Sequence, residues 1–169
     1  MFVPTSGEDG ESANREGVYQ KRLSQVIITT MDAKELFVSQ FEDGAFQLGA
    51  AFADFPADSW DAKSNPMAMS ARETVAHLTE AYIACGKHMN GEKHQWGSYA
   101  AESDDPNRLL AVMNKERDII KIAALAADPA EYKHVLAYAT NHDYYHVGQM
   151  VTLRLHLDPT WNADSIYSS

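Results

Sequence analysis

The sequence predicts an all-α protein, specifically a four-helix bundle. Four segments between residues 31 and 157 repeat apolar residues at helical spacing, most of them open on helix-capping chemistry, and none alternates with the period of a strand. Long amphipathic helices joined by short connections bury their apolar faces against one another, and the bundle is the simplest way to do so. A chain of 169 residues is long enough to bury a core without disulfide or metal staples.

The first helix is expected over residues 32–55. Asp32 and Glu35 have the spacing of a capping box, in which each side chain satisfies a free backbone N–H of the other residue. Leu36, Phe37, Gln40, Phe41, Gly44, Leu48, Ala51 and Phe52 trace its inward stripe. The following stretch FPADSWDAKSNPMAM is turn chemistry and reads as a loop. A second capping box, Ser70 with Glu73, opens the second helix. Val75, Leu78, Tyr82 and Cys85 form its core face, and Gly91 ends it. The third helix starts at Pro106 behind the cap Asp105 and runs to about residue 127, with Leu109, Leu110, Met113, Arg117, Ile120 and Ala124 inward. Asp128, Pro129 and Glu131 supply a cap, a first-turn proline and a third-position glutamate. They predict one continuous helix from there to Leu157, stopped by Asp158 and Pro159. Residues 1–30 read as a separate arm, polar and without periodicity at first, then either helix or strand over residues 18–30. The bundle domain is expected over residues 31–169.

Charge and composition exclude several functions. A net charge of −10, with 14 scattered basic residues against 24 acidic ones, lacks the clustered cations that phosphate backbones or anionic membranes demand. No apolar run approaches the length of a bilayer span. The acidic start of the chain does not resemble a secretion signal, and a lone cysteine builds no internal disulfide, so a cytoplasmic protein is expected.

Seven histidines remain to be placed: His77, His88, His94, His134, His142, His146 and His156. His142 and His146 stand four apart, on one helical face, where two imidazoles can converge on one ion. The same spacing also suits two hydrogen-bonded polar core residues, and a metal needs a third ligand from another helix. A zinc-protease reading of the HxxxH pattern fails. Asp143 is a methylene shorter than the glutamate such enzymes use, and Thr152 stands where their third histidine would fall.

Two motifs then resemble a known family. The second helix, MSARETVAHLTEAY, is similar to the capped helix of DinB/YfiT-like proteins that carries a histidine in its first two turns. NHDYYHVGQMVTLRL resembles the family's HxxxHxGQ signature. Trp60 resembles the family's upstream tryptophan, displaced here by an insertion. The motifs occur in the family's order, and the likeness spans residues 32–157. It implies a four-helix bundle, often a homodimer, with nickel or zinc on three histidines, which are His77, His142 and His146 in this chain. It also implies a small-molecule substrate, with thiol-dependent transfer the best-defined chemistry and bacillithiol, mycothiol or a related low-molecular-weight thiol as cosubstrate. Three ligands leave a position for water or substrate, the pattern of catalytic zinc sites. Metal-assisted hydrolysis and a non-catalytic, stress-related binding protein are the competing functions.

Other residues carry alternatives. Gln149 either hydrogen-bonds a metal-bound water, the one candidate catalytic role, or is a packing amide. Glu73 either orients His77 or serves only its cap. Asp143 is expected at a solvated bundle edge, and His88 lies some 16 Å along the helix from His77, too far to share an ion. His94, Trp96 and Tyr99 belong to an ordinary packed loop or line a substrate entrance. His134 and His156 are expected at the surface or a bundle end, and Cys85 as a buried small hydrophobe.

Overall fold

The computed structural model describes residues 31–167. The expected arm of residues 1–30 therefore lies outside the described residues. Those described are all-helical, without a strand. In chain order come α1 (Ala33–Phe52), α2 (Ala71–Met89), α3 (Pro106–Ala126), a short α4 (Tyr132–Tyr138) and α5 (Thr140–Leu157), with brief 3₁₀ turns at Ala57–Ser59, Pro129–Glu131 and Ala163–Ile166. None of these helices is long and apolar enough to cross a membrane.

Both capping boxes form. Asp32 accepts from the Glu35 N–H at 2.7 Å while Glu35 accepts from the Asp32 N–H at 3.1 Å. Ser70 and Glu73 exchange the same pair of bonds at 3.2 and 2.8 Å. Asp105 accepts from the Arg108 N–H at 2.9 Å ahead of Pro106. Gly91, at φ +72°, takes the left-handed conformation just past α2.

Packing is pairwise, α2 chiefly on α3 and α1 chiefly on α5. Phe37, Phe41, Leu48, Leu78, Met113, Ile120, Met150 and Leu153 are among the fully buried side chains between them. Trp60, just before α2, is buried against Phe52 and Phe55 with ring centroids 5.9 and 5.7 Å away. Arg154 of α5 closes the far end of α1. Its guanidinium donates to the carbonyls of Ala51 and Ala53 and stacks on Trp161, placing a cation at a helix C-terminus.

Two expectations are corrected. The single last helix starts behind Asp128, which accepts from the Ala130 N–H at 2.8 Å, with a 3₁₀ first turn that runs directly into α4, but it is broken at Ala139 (φ −107°, ψ −79°). No proline or glycine marks the break. It falls between two tertiary anchors, Tyr132 stacked on Phe37 at 4.5 Å and Asp143 buried among α2 and α3 side chains, so packing overrides a continuous helical pattern. Leu36 and Gln40, assigned to the inward stripe of α1, are exposed.

The two glycines of α1 are expected to respond oppositely to alanine. A Cβ at Gly44 would lie 3.3 Å from both Arg117 Nη2 and Asp143 Oδ2, two atoms fixed by their own bonds. At Gly49 it would meet nothing within 4 Å. Gly49→Ala should therefore raise stability by up to about 1 kcal/mol, as alanine does in a helix interior, whereas Gly44→Ala should lower it. Urea denaturation of the two variants checks the sign of each.

Candidate metal centre

The Ser70–Glu73 box sets where α2 begins and so places His77 in its second turn, facing α5. His142 and His146 stand one turn apart on α5. The structure brings all three together: His77 Nε2 lies 3.1 Å from His142 Nε2, and one ring nitrogen from each residue lies within 4.8 Å of the others. Ring centroids are 4.9, 5.1 and 4.8 Å apart. Nitrogens bound at about 2.1 Å around a tetrahedral ion are about 3.4 Å from one another, and the observed spacing brackets that value. The three histidines lie close enough to hold a metal ion.

His146 is the least satisfied of them. Its ring is 1% exposed, and neither Nδ1 nor Nε2 has a hydrogen-bond partner. A neutral imidazole offers one donor and one acceptor, and burying each without a partner costs about 1–3 kcal/mol. An ion among the three rings would take up the orphaned lone pair.

The electrostatics of His142 and His146 favour the neutral imidazole, the form that binds metal. Burial, reinforced by His142 and His77 and opposed by the nearby Gln149 side chain, pushes His146 down to about 4. Burial and then His77 also lower His142, against the Tyr138 carbonyl, which holds its ring from one turn earlier. An unfolded histidine takes up its proton near pH 6.5, but folded His146 does so only near 4, so in the interval the unfolded chain binds more protons and acid favours unfolding. Metal-free wild type should therefore lose stability relative to metal-free His146→Leu as pH falls from about 6.5 to about 4. Urea titrations at several pH values check this, and a constant difference across the interval would contradict it.

Around the centre lie three further side chains. Gln149, half-buried one turn past His146, donates to Tyr145 Oη at 2.9 Å. Its Oε1 is buried without a hydrogen-bond partner, and its side chain is near enough to His146 to act on that ring. Tyr145, 62% exposed, sets its ring 5.0 Å from that of His146. Trp96 lies beside His77, with centroids 6.4 Å apart. Glu73 is engaged by its cap and by Lys63 at 2.7 Å, and no bond joins it to His77.

Asp143 corrects the sequence reading. It is fully buried, not at a solvated edge. Its Oδ2 accepts from Arg117 Nε at 3.0 Å and Nη2 at 2.9 Å, and its Oδ1 accepts a short bond from the Tyr82 hydroxyl. Arg117 also donates to the Phe41 carbonyl at 2.5 Å and lies 3.7 Å over the Phe41 ring. This network joins α1, α2, α3 and α5 immediately beside His142. A signal for it exists in the sequence, because Arg117 interrupts the core stripe of the third helix, and a cation there demands a buried anion.

The remaining candidates lie elsewhere. His88 and His134 pair with each other at 5.3 Å, and His156 is exposed. Burial pushes the Cys85 thiol up to about 11, so it is an inert core residue rather than a nucleophile. A cleft of about 490 Å³ between α2, α3 and residues 99–103 is lined by none of the three histidines. No family model, curated protein or solved structure matches the chain, so the family resemblance stands on the motif residues themselves.

Proposed function

We propose that this chain is a DinB/YfiT-like four-helix bundle that binds one divalent transition metal, nickel or zinc, through His77, His142 and His146. Its proposed activity is transfer of a low-molecular-weight thiol to a small electrophile. The observation that carries the reading is His146, a buried imidazole with both nitrogens unpartnered at the meeting point of two other imidazoles. Three nitrogen donors suit nickel, zinc, copper or iron better than magnesium or calcium. Three ligands without a fourth histidine, cysteine or carboxylate in the cluster among the described residues match a site that admits a substrate. A bound ion would supply Lewis acidity, favouring the anionic form of a nucleophile near neutral pH. The protein's own contribution is to hold three imidazole ligands together, with Trp96, Tyr145 and Gln149 around them. A cytoplasmic setting, with its reduced thiol pool, suits this chemistry.

The test offers 2-mercaptoethanol with an epoxide and with a haloaromatic to metal-loaded and metal-stripped protein, and reads thioether by mass spectrometry. Thioether formed only with metal, lost on chelation and restored by zinc or nickel, is the expected result. A diol or phenol in its place would assign hydrolysis. Full metal occupancy with no product would assign a non-catalytic binding protein.

The proposal includes a homodimer. Val112, Ile119 and Ile122 on α3, with Leu36 and Phe46 on α1, are large apolar side chains left exposed in the single chain. Light scattering at micromolar concentration should give twice the 18.8 kDa chain mass, and a mass of one chain would contradict it.

A further inference from the structure

We propose that Trp96 and the aromatic cleft beside it form a subsite for a flat apolar group, typically an aromatic ring, on the molecule that reacts at the histidine centre. This rests on the metal reading above and adds the class of substrate.

The first support is how firmly the Trp96 loop is held. Glu80, one turn past His77 on α2, is only 8% exposed, and its carboxylate is committed to that loop. It accepts from His94 Nε2 at 3.1 Å, from the Ser98 N–H at 3.0 Å and from the Tyr99 N–H at 3.3 Å. Gly97 provides the turn, at φ +78°. A buried carboxylate is costly unless its oxygens are bonded in this way, so the loop's conformation is strongly specified.

The second support is what the held loop presents. Trp96 is 53% exposed, although residues on both sides of it are tied down. One edge packs against His94 at 5.2 Å, and the ring sits 6.4 Å from His77. Core packing does not account for a large ring kept in water there, whereas a surface for an incoming ring does.

The third support is the adjoining cleft, about 300 Å³, whose lining includes His88, His94, Trp96, Tyr138 and Ala84. His88 and Tyr138 already stack on each other, with centroids 5.9 Å apart and planes at 29°. The volume suits one ring with a short arm, at the small end of ligand pockets. Ala84 lies seven residues past His77 on α2, about 10 Å along the axis, and Trp96, which lines the cleft and sits beside His77, is the side chain that adjoins both. Glu92 and Lys93 in the lining carry opposite charges, which gives no net preference for an anion or a cation.

The test uses the full chain loaded with cobalt(II), whose visible spectrum reports ligand entry at the centre. Ethanethiol and phenylmethanethiol, alkyl thiols that differ by a ring, are titrated into wild type, Trp96→Ala and Trp96→Phe. Wild type should bind phenylmethanethiol about tenfold more tightly than ethanethiol, as burial and stacking of one ring provide. Trp96→Ala should bring the ratio close to one, chiefly by weakening phenylmethanethiol, and Trp96→Phe should restore most of the preference. Equal affinities in wild type, a ratio unchanged in Trp96→Ala, or cobalt bound with no response to either thiol would overturn the subsite. Failure of wild type to bind cobalt at all would instead overturn the metal reading beneath it.

Discussion

Replacing His146 with leucine is expected to abolish stoichiometric metal binding while leaving the chain folded. Four ligands of a structural zinc site together provide about 10–16 kcal/mol, so the loss of one amounts to roughly 3 kcal/mol, a weakening of more than 100-fold. The substitution also removes the two orphaned ring nitrogens from a site 1% exposed, so the metal-free variant should be at least as stable as metal-free wild type near neutral pH. Competition for zinc against a chromogenic chelator measures the first effect, and urea denaturation the second. Full occupancy in the variant would remove His146 from the centre.

The second large effect is expected at Asp143. Asp143→Asn keeps the shape of the side chain but leaves the Arg117 guanidinium, 3% exposed, without its counter-charge. Breaking a buried pair from one side costs about 3–5 kcal/mol. At roughly 2–4 °C per kcal/mol for a chain of this size, the melting temperature should fall by about 10 °C. Tyr82→Phe removes one hydrogen bond to the same carboxylate and should cost less, about 1–3 kcal/mol. A loss below about 1 kcal/mol in Asp143→Asn would show that the network is not the tie between helices described above.

Much of this architecture was legible in the sequence because its signals are local. Asp32 with Glu35, Ser70 with Glu73, and Asp105 before Pro106 each satisfy free backbone donors within one turn, so they mark helix starts without reference to the rest of the fold. The candidate centre was legible for a similar reason. His142 and His146 share a face by helical spacing alone, and only His77 had to be supplied from a distance, through the motif resemblance.

What was not legible depends on partners far apart in the chain. Asp143 takes its place from Arg117, 26 residues away, and Tyr82, 61 residues away, so its position on the helix wheel could not reveal its burial. The break at Ala139 follows from packing on either side of it, not from a breaker residue. Trp96 reads as part of an irregular stretch, and only the bonds from Glu80 to residues beside it make that stretch a fixed wall next to His77.

X-ray absorption at the zinc edge, on untagged protein loaded to saturation, tests the central claim most directly. One zinc per chain is expected, with three imidazole nitrogens at about 2.0–2.1 Å and one further ligand in the first shell. The imidazole count should drop in His146→Leu. Substoichiometric zinc bound mainly by oxygen, or a wild-type imidazole signal that persists unchanged in that variant, would contradict the assignment of His77, His142 and His146 as the metal centre.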